Sequence, residues 1–79
     1  MQTATVYPTP SVLQRSIKLS EREFEVLQLI VEGHSNPEIA TRLYLSPNTV
    51  KTHVRKILNK LGVNDRLQAA VFAVRHQLI

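Results

Sequence analysis

Three serines divide the middle of the chain into short helices. Ser20 and Ser35 are each followed three positions later by a glutamate, the capping-box pattern in which the two residues satisfy each other's free backbone N–H groups. Ser46 is a third capping serine, and the proline after it is tolerated in the first turn of a helix. Gly33 and Gly62 allow left-handed helix ends after the first and third segments. These signals predict a small domain of short helices.

Apolar residues recur at helical spacing behind each cap, as expected for helices that share one core. The fold class predicted is therefore all-α, a four-helix bundle-like domain. We expect it to span residues 18–79, with residues 1–17 as a flexible tail or an interdomain linker, because Thr, Pro, Ser and Gln dominate there. The apolar stripes expected to be buried in the first three helices are Phe24, Val26, Leu27, Ile30 and Val31; Ile39, Ala40 and Leu43; and Val50, Val54, Ile57 and Leu61.

The fourth segment carries two apolar faces. Asn64 or Asp65 is expected to cap a helix that reaches nearly to Ile79. This helix has more apolar surface than a peripheral helix of a small domain buries against its own core. One face holds Leu67, Ala70, Val71, Val74 and Leu78. The second face could pack on the tail, but we expect it to form a homodimer, with the interface residues Ala69, Phe72, Ala73 and His76.

The composition argues against several classes of site. The chain has no cysteine, so it forms no disulfide and offers no thiol for metal or redox chemistry. Its three histidines are not spaced as metal ligands, and the sequence has no glycine-rich phosphate loop. We therefore expect no enzyme activity, no cofactor and no metal. No apolar run approaches the length of a membrane span, so no membrane partner is expected.

The charges are sorted along the chain. Residues 46–61 contain four cations and no acid, which equals the whole net charge of +4. Residues 20–40 contain five acids against one arginine. A purely solvated surface gives no reason for this separation. A short helix that buries one side and presents cations on the other suits a DNA groove.

The second and third helices are separated by a turn of three residues, 44–46. Such a pair, with the second helix basic on its outer side, makes a helix-turn-helix. Ala40 is small enough to let the helices approach closely, and Val50 fills the angle between them. A plain helical hairpin is the alternative. On a helical wheel, the face opposite Val50 consists of Asn48, Lys51, Thr52, Arg55 and Asn59.

Several stretches of the sequence resemble the LuxR-type helix-turn-helix family. They are Leu-Ser-Glu-Arg-Glu-Phe-Glu-Val-Leu (19–27), Gly33, Asn-Pro-Glu-Ile-Ala (36–40) and Leu-Ser-Pro-Asn-Thr-Val-Lys-Thr-His-Val-Arg-Lys-Ile-Leu-Asn-Lys-Leu (45–61). The family comprises the DNA-binding domains of NarL/FixJ-type response regulators, quorum-sensing activators and GerE-like regulators. The resemblance covers residues 18–79 without a gap. It implies that the third helix, residues 47–61, reads the major groove and that the fourth helix forms the dimer.

The resemblance also implies roles for individual residues. Lys51, Thr52 and Arg55 match the family's base-facing positions, on the face that the helical wheel selects. Lys and Arg can donate to guanine, and the methyl group of Thr52 suits a thymine methyl. Asn48 could reach a base or a phosphate. Phosphate contacts are expected from Ser46, Thr49, Lys56, Asn59 and Lys60, and from the backbone N–H groups near Asn36.

The sequence departs from the family pattern at three positions. Pro37 stands where the family often has a lysine, and Tyr44 and Gln77 stand where glycine is common. If the turn at Tyr44 is left-handed, the tyrosine costs roughly 1 kcal/mol of strain. His53 borders the predicted core, and we expect it to make a structural hydrogen bond rather than a DNA contact.

The predicted function is a sequence-specific transcription regulator, cytoplasmic and bacterial by family resemblance, that binds double-stranded DNA as a homodimer. It would be the output domain of a response regulator in a two-component system or a stand-alone GerE-like regulator. The resemblance allows two further partners, RNA polymerase and an upstream receiver domain in a longer chain. The alternatives are a sigma-factor region 4-like promoter-binding domain and a protein-interaction module that does not bind DNA.

Overall fold

Four helices and no strand form the part of the chain that the computed structural model describes, residues 17–79. The predicted all-α, four-helix fold is confirmed. The predicted tail lies outside the described residues except for Ile17. Within residues 17–79, no helix is long and apolar enough to cross a membrane. The helices are α1 (Glu21–Val31), α2 (Asn36–Leu43), α3 (Pro47–Leu61) and α4 (Arg66–Arg75).

The predicted serine caps are all formed. The Ser20 hydroxyl accepts from the Glu23 backbone N–H at 3.1 Å, while the Glu23 carboxylate accepts from the Ser20 N–H at 2.9 Å. Ser35 starts α2 with the same reciprocal pair, and Ser46 accepts from the third residue of α3 at 3.1 Å. Of the two candidates for the fourth cap, Asp65 is used. Each such cap contributes about 1 kcal/mol to helix stability.

All four helices end in a left-handed residue followed by a hydrogen bond that spans five residues. The bonds run from the N–H groups of His34, Leu45, Val63 and Leu78 to carbonyl groups in the last turns of α1 to α4. This geometry satisfies carbonyls that a helix end otherwise leaves free. The left-handed residues are Gly33, Tyr44, Gly62 and Gln77.

The core lies where the four helices meet. Leu27 of α1, Ile39 of α2, and Val50 and Ile57 of α3 are fully buried. Burying a side chain of this size stabilises a fold by about 1.5–3 kcal/mol. Helix α3 packs against each of the other three helices. Its predicted apolar stripe is confirmed, because all four of its members are buried: Val50, Val54, Ile57 and Leu61.

The two faces of α4 are placed opposite to the prediction. Ala69 and Ala73, expected to contact a second copy, are fully buried in the core of the monomer. Their small side chains allow α4 to approach α1 and α3 closely, so neither can reach a partner in this fold. The outward stripe instead consists of Leu67, Val71 and Val74, which are 71%, 44% and 58% exposed.

Helix α4 is also shorter than predicted. It ends at Arg75, and Gln77 adopts a left-handed conformation with φ of 57°. This turn brings Leu78 back to the core, where its N–H donates to the carbonyl of Ala73 at 2.8 Å. The turn therefore makes Leu78 part of the buried face although it lies beyond the helix.

Glu23 is a buried carboxylate that is 4% exposed. Besides the Ser20 N–H, it accepts a bond of 2.7 Å from the Lys60 ammonium, which also donates to the Lys18 carbonyl at 3.1 Å. Burial raises the pKa of Glu23, but the bonds from Lys60 and Ser20 outweigh burial and hold the pKa below its ordinary value. The ion pair ties the last turn of α3 to the first turn of α1.

Replacing Lys60 with alanine should destabilise the fold by about 1–2 kcal/mol near neutral pH, because a buried carboxylate loses its cation. Because the folded-state pKa of Glu23 is lowered, the stabilisation is present above the ordinary pKa and is lost as the pH falls through the folded-state value. Urea unfolding at about pH 7 and about pH 3 tests both statements. The difference between wild type and Lys60→Ala should shrink at the lower pH.

Lys56→Ala is the matched control, since Lys56 lies on the same helix and is exposed. It should leave the free energy of unfolding unchanged. Equal losses for the two alanine variants would contradict a structural role for Lys60.

Candidate nucleic-acid interface

Helices α2 and α3 form a helix-turn-helix. The turn between them is closed by a bond of 2.9 Å from the Leu45 N–H to the Ala40 carbonyl. Ala40 and Val50 are both buried, as expected of the small residue that permits close approach and the apolar residue that fills the angle. Because Val50, Val54 and neighbouring core residues fix the rotation of α3, the opposite face of that helix must point to solvent.

The outward face of α3 is basic and polar. The four residues predicted to read bases all lie on it and are exposed. No carboxylate of residues 17–79 forms an ion pair with a cation of this face. An unpaired cation in water is free to meet a polyanion without first breaking a salt bridge. The four residues are Asn48, Lys51, Thr52 and Arg55.

The hydroxyl group of Thr52 is already engaged in a hydrogen bond within α3. It donates to the backbone carbonyl of Asn48 at 3.1 Å. This bond fixes the hydroxyl against the helix, as is common for threonine in helices. The methyl group therefore becomes the part of Thr52 best able to contact a base.

Ser46 and Thr49 lie together at the start of α3. Their hydroxyl oxygens are 2.9 Å apart, and Ser46 also accepts from the Thr49 backbone N–H. One hydroxyl must donate to the other, so one hydroxyl hydrogen stays available for an outside acceptor. Both residues are exposed, as are Lys56 and Asn59 farther along the helix. These four predicted phosphate-contact residues are accessible in the described structure.

Lys60 does not belong to this accessible set. Its ammonium is held by the Glu23 carboxylate and by the Lys18 carbonyl. A phosphate contact would have to compete with a buried carboxylate for the same hydrogens. The sequence predicted a phosphate contact for Lys60, and the structure shows that its ammonium instead pairs with Glu23 within the fold.

The side chain of Asn36 at the start of α2 is engaged within the fold, whereas the phosphate contact was predicted for the backbone N–H groups there, and this stays a prediction. The Asn36 side-chain oxygen accepts from Arg66 Nη1 at 2.7 Å, while Arg66 Nη2 donates to the His34 carbonyl at 2.7 Å. Arg66 thus joins the first turn of α4 to the start of α2. The sequence analysis missed this residue. Its position could have indicated the role. Arg66 is a cation in the first turn of a helix, where the helix dipole disfavours positive charge, so a compensating hydrogen-bond partner outside the helix is expected.

His53 does not make the expected structural hydrogen bond through Nδ1. This atom is buried without a partner among the described residues. The histidine is half-buried, as its position at the border of the core predicted. The structural hydrogen bond predicted for His53 is therefore not made by Nδ1.

The acidic residues are concentrated away from the basic face. Three exposed glutamates, Glu21, Glu25 and Glu32, lie on or next to α1. The carboxylate of Glu38, at the start of α2, accepts a hydrogen bond from the Ser35 backbone N–H in the capping box. The bond from the Ser35 backbone N–H lowers the pKa of Glu38, and nearby His34 adds to this despite the opposing effect of desolvation. The described residues contain no group of three side chains placed to hold a metal ion.

Comparison with known proteins identifies the family. Bacterial regulatory proteins of the luxR family match residues 17–73. The response regulator protein VraR of Staphylococcus aureus (strain Mu3 / ATCC 700698) is 54% identical over 61 residues, which are 77% of this chain and 29% of VraR. The chain therefore spans less than a third of the length of this relative.

Two solved structures share the fold. The transcription factor GerE has a TM-score of 0.70 and 37% identity, covering 76% of this chain and 90% of GerE. The response regulator ChrA of a heme-sensing two-component system has a TM-score of 0.74 and 39% identity, covering 87% of this chain and 37% of ChrA. The chain belongs to the luxR family of bacterial regulatory proteins and forms a DNA-binding helix-turn-helix domain of that family.

Proposed function

We propose that α3 enters the major groove of double-stranded DNA and that the domain regulates transcription as the output domain of a response regulator. The observation that carries the proposal is the outward face of α3, whose cations form no ion pair within residues 17–79 and lie opposite a buried stripe. The response-regulator assignment is supported by VraR and ChrA, both named as response regulators. An upstream receiver domain, which would supply the remaining length of such a protein, belongs to the same proposal.

The base-reading residues have distinct chemistry. Lys51 and Arg55 carry N–H donors that suit guanine O6 and N7, and the free methyl group of Thr52 suits a thymine methyl. Asn48 lies one turn before Thr52 and could bind an adenine edge or a phosphate. Because these residues share one exposed face, a single placement of α3 brings all of them to the floor of the groove.

The phosphate contacts flank this face. Lys56 lies beside it, Asn59 lies farther along α3, and the hydroxyls of Ser46 and Thr49 lie at the start of the helix. Contacts of this kind fix the register of the helix and carry no direct sequence information. The removal of Lys60 from the set leaves three of the four cations of residues 46–61 for DNA.

We further propose that two copies bind DNA together through the outward stripe of α4. Leu67, Val71 and Val74 follow each other at helical spacing and leave an apolar stripe in water. Phe72 and His76, whose rings lie 4.3 Å apart in a tilted arrangement, are on the other side of α4 by the helical period and do not belong to this stripe. A symmetric pair predicts two half-sites about 10 bp apart or a multiple of that spacing.

Lys51→Ala or Arg55→Ala should cost about 1–3 kcal/mol of binding to a duplex obtained by in vitro selection, and each should relax preference at one base position. Lys56→Ala should weaken binding to the selected duplex and to a mixed-sequence duplex by the same factor. It should also reduce the slope of log affinity against log salt concentration by about 1. Fluorescence anisotropy on both duplexes, over a series of salt concentrations, measures these effects. If Lys51→Ala weakens binding to both duplexes equally, Lys51 does not read a base.

The double variant Leu67→Ser/Val74→Ser should bind a duplex with paired half-sites about tenfold or more weakly than wild type, because cooperation between copies is lost. Its affinity for a single half-site should be unchanged, since both side chains are exposed and neither belongs to α3. Sedimentation of the protein with the paired-site duplex gives the stoichiometry. A strict 1:1 complex for wild type would contradict the dimer and favour the sigma-factor-like alternative.

A further inference from the structure

Tyr44 is the strained residue of the helix-turn-helix. Its φ of 58° and ψ of 44° place it in the left-handed region, which costs a side-chain-bearing residue about 1–2 kcal/mol. Helices α1 and α3 make the same kind of turn with Gly33 and Gly62, which adopt it freely. A glycine would therefore serve the turn after α2 better than the tyrosine does.

The tyrosine gains nothing inside the monomer to offset this strain. Its side chain is 95% exposed, and its hydroxyl makes no hydrogen bond within residues 17–79. A large aromatic ring held in water in an unfavourable backbone conformation points to a contact outside the chain.

The position of Tyr44 indicates which contact this is. It lies in the turn that leads into α3, two residues before the Ser46 cap, whose hydroxyl is hydrogen-bonded to that of Thr49. Arg42, two residues earlier, is exposed and forms no ion pair with a carboxylate of the described residues. The ligand that suits hydroxyl donors and a cation at one end of a groove-binding helix is a DNA phosphate.

We propose that the Tyr44 hydroxyl donates a hydrogen bond to a backbone phosphate at the edge of the groove that α3 occupies, an inference that rests on the proposed function. The phenol is neutral, so its contact displaces no counterion and contributes affinity without a change in salt slope. Phosphates are the same at every base step, so the contribution is independent of sequence.

Tyr44→Phe removes only the hydroxyl. In the full 79-residue chain it should bind a mixed-sequence duplex about three- to tenfold more weakly, with an unchanged salt slope and unchanged thermal stability. Tyr44→Gly should lose at least as much affinity while its unfolding midpoint rises, because glycine relieves the strain. Opposite changes in affinity and stability are not expected from a merely structural residue.

Gln77→Gly is the matched control, because Gln77 has a φ of 57° at the end of α4, away from the turn into α3. It should raise the unfolding midpoint and leave the affinity for DNA at the wild-type value. Wild-type affinity in Tyr44→Phe overturns the inference, and so does a loss confined to the selected duplex, which would make the phenol a base reader. Failure of the wild-type chain itself to bind any duplex would instead overturn the proposed function.

Discussion

The structure depends on the packing of one stripe of α3 against the other three helices. Val50 and Ile57 in that stripe are fully buried, and α3 is the only helix among the described four that contacts all the rest through a broad surface. The same helix that completes the core also carries the basic face. Its orientation is consequently fixed by apolar contacts. The cations that face solvent are therefore positioned without needing ion pairs of their own.

Features set by neighbours in sequence could be predicted from the sequence. The serine caps depend on residues three positions apart, and the buried stripe and basic face of α3 follow from its 3.6-residue period. The placement of Lys51, Thr52 and Arg55 on one exposed face was confirmed for the same reason. Their contacts with bases stay a prediction, because that depends on a DNA molecule and not on the helix alone.

Features set by distant residues could not be predicted in this way. Lys60 meets Glu23 across 37 residues of sequence, and Arg66 meets Asn36 across 30. A helical wheel places Lys60 beside the basic face but cannot show that the buried carboxylate of Glu23 lies within hydrogen-bonding distance of it. Similarly, the wheel finds two apolar faces on α4, yet the choice between them depends on which side chains, here Ala69 and Ala73, fit closely against α1 and α3.

The local character of the caps and helix ends has a consequence for how the chain folds. Every cap joins residues three apart, and every closing bond spans five residues, so each helix is bounded before distant parts of the chain meet. Domains in which local contacts predominate fold on microsecond to millisecond timescales. The slower search left to the chain is the docking of α1 and α4. The Lys60 bond secures α1 to α3, and the Arg66 bonds secure α4 to the start of α2. A nascent chain can thus assemble this domain quickly as one folded unit.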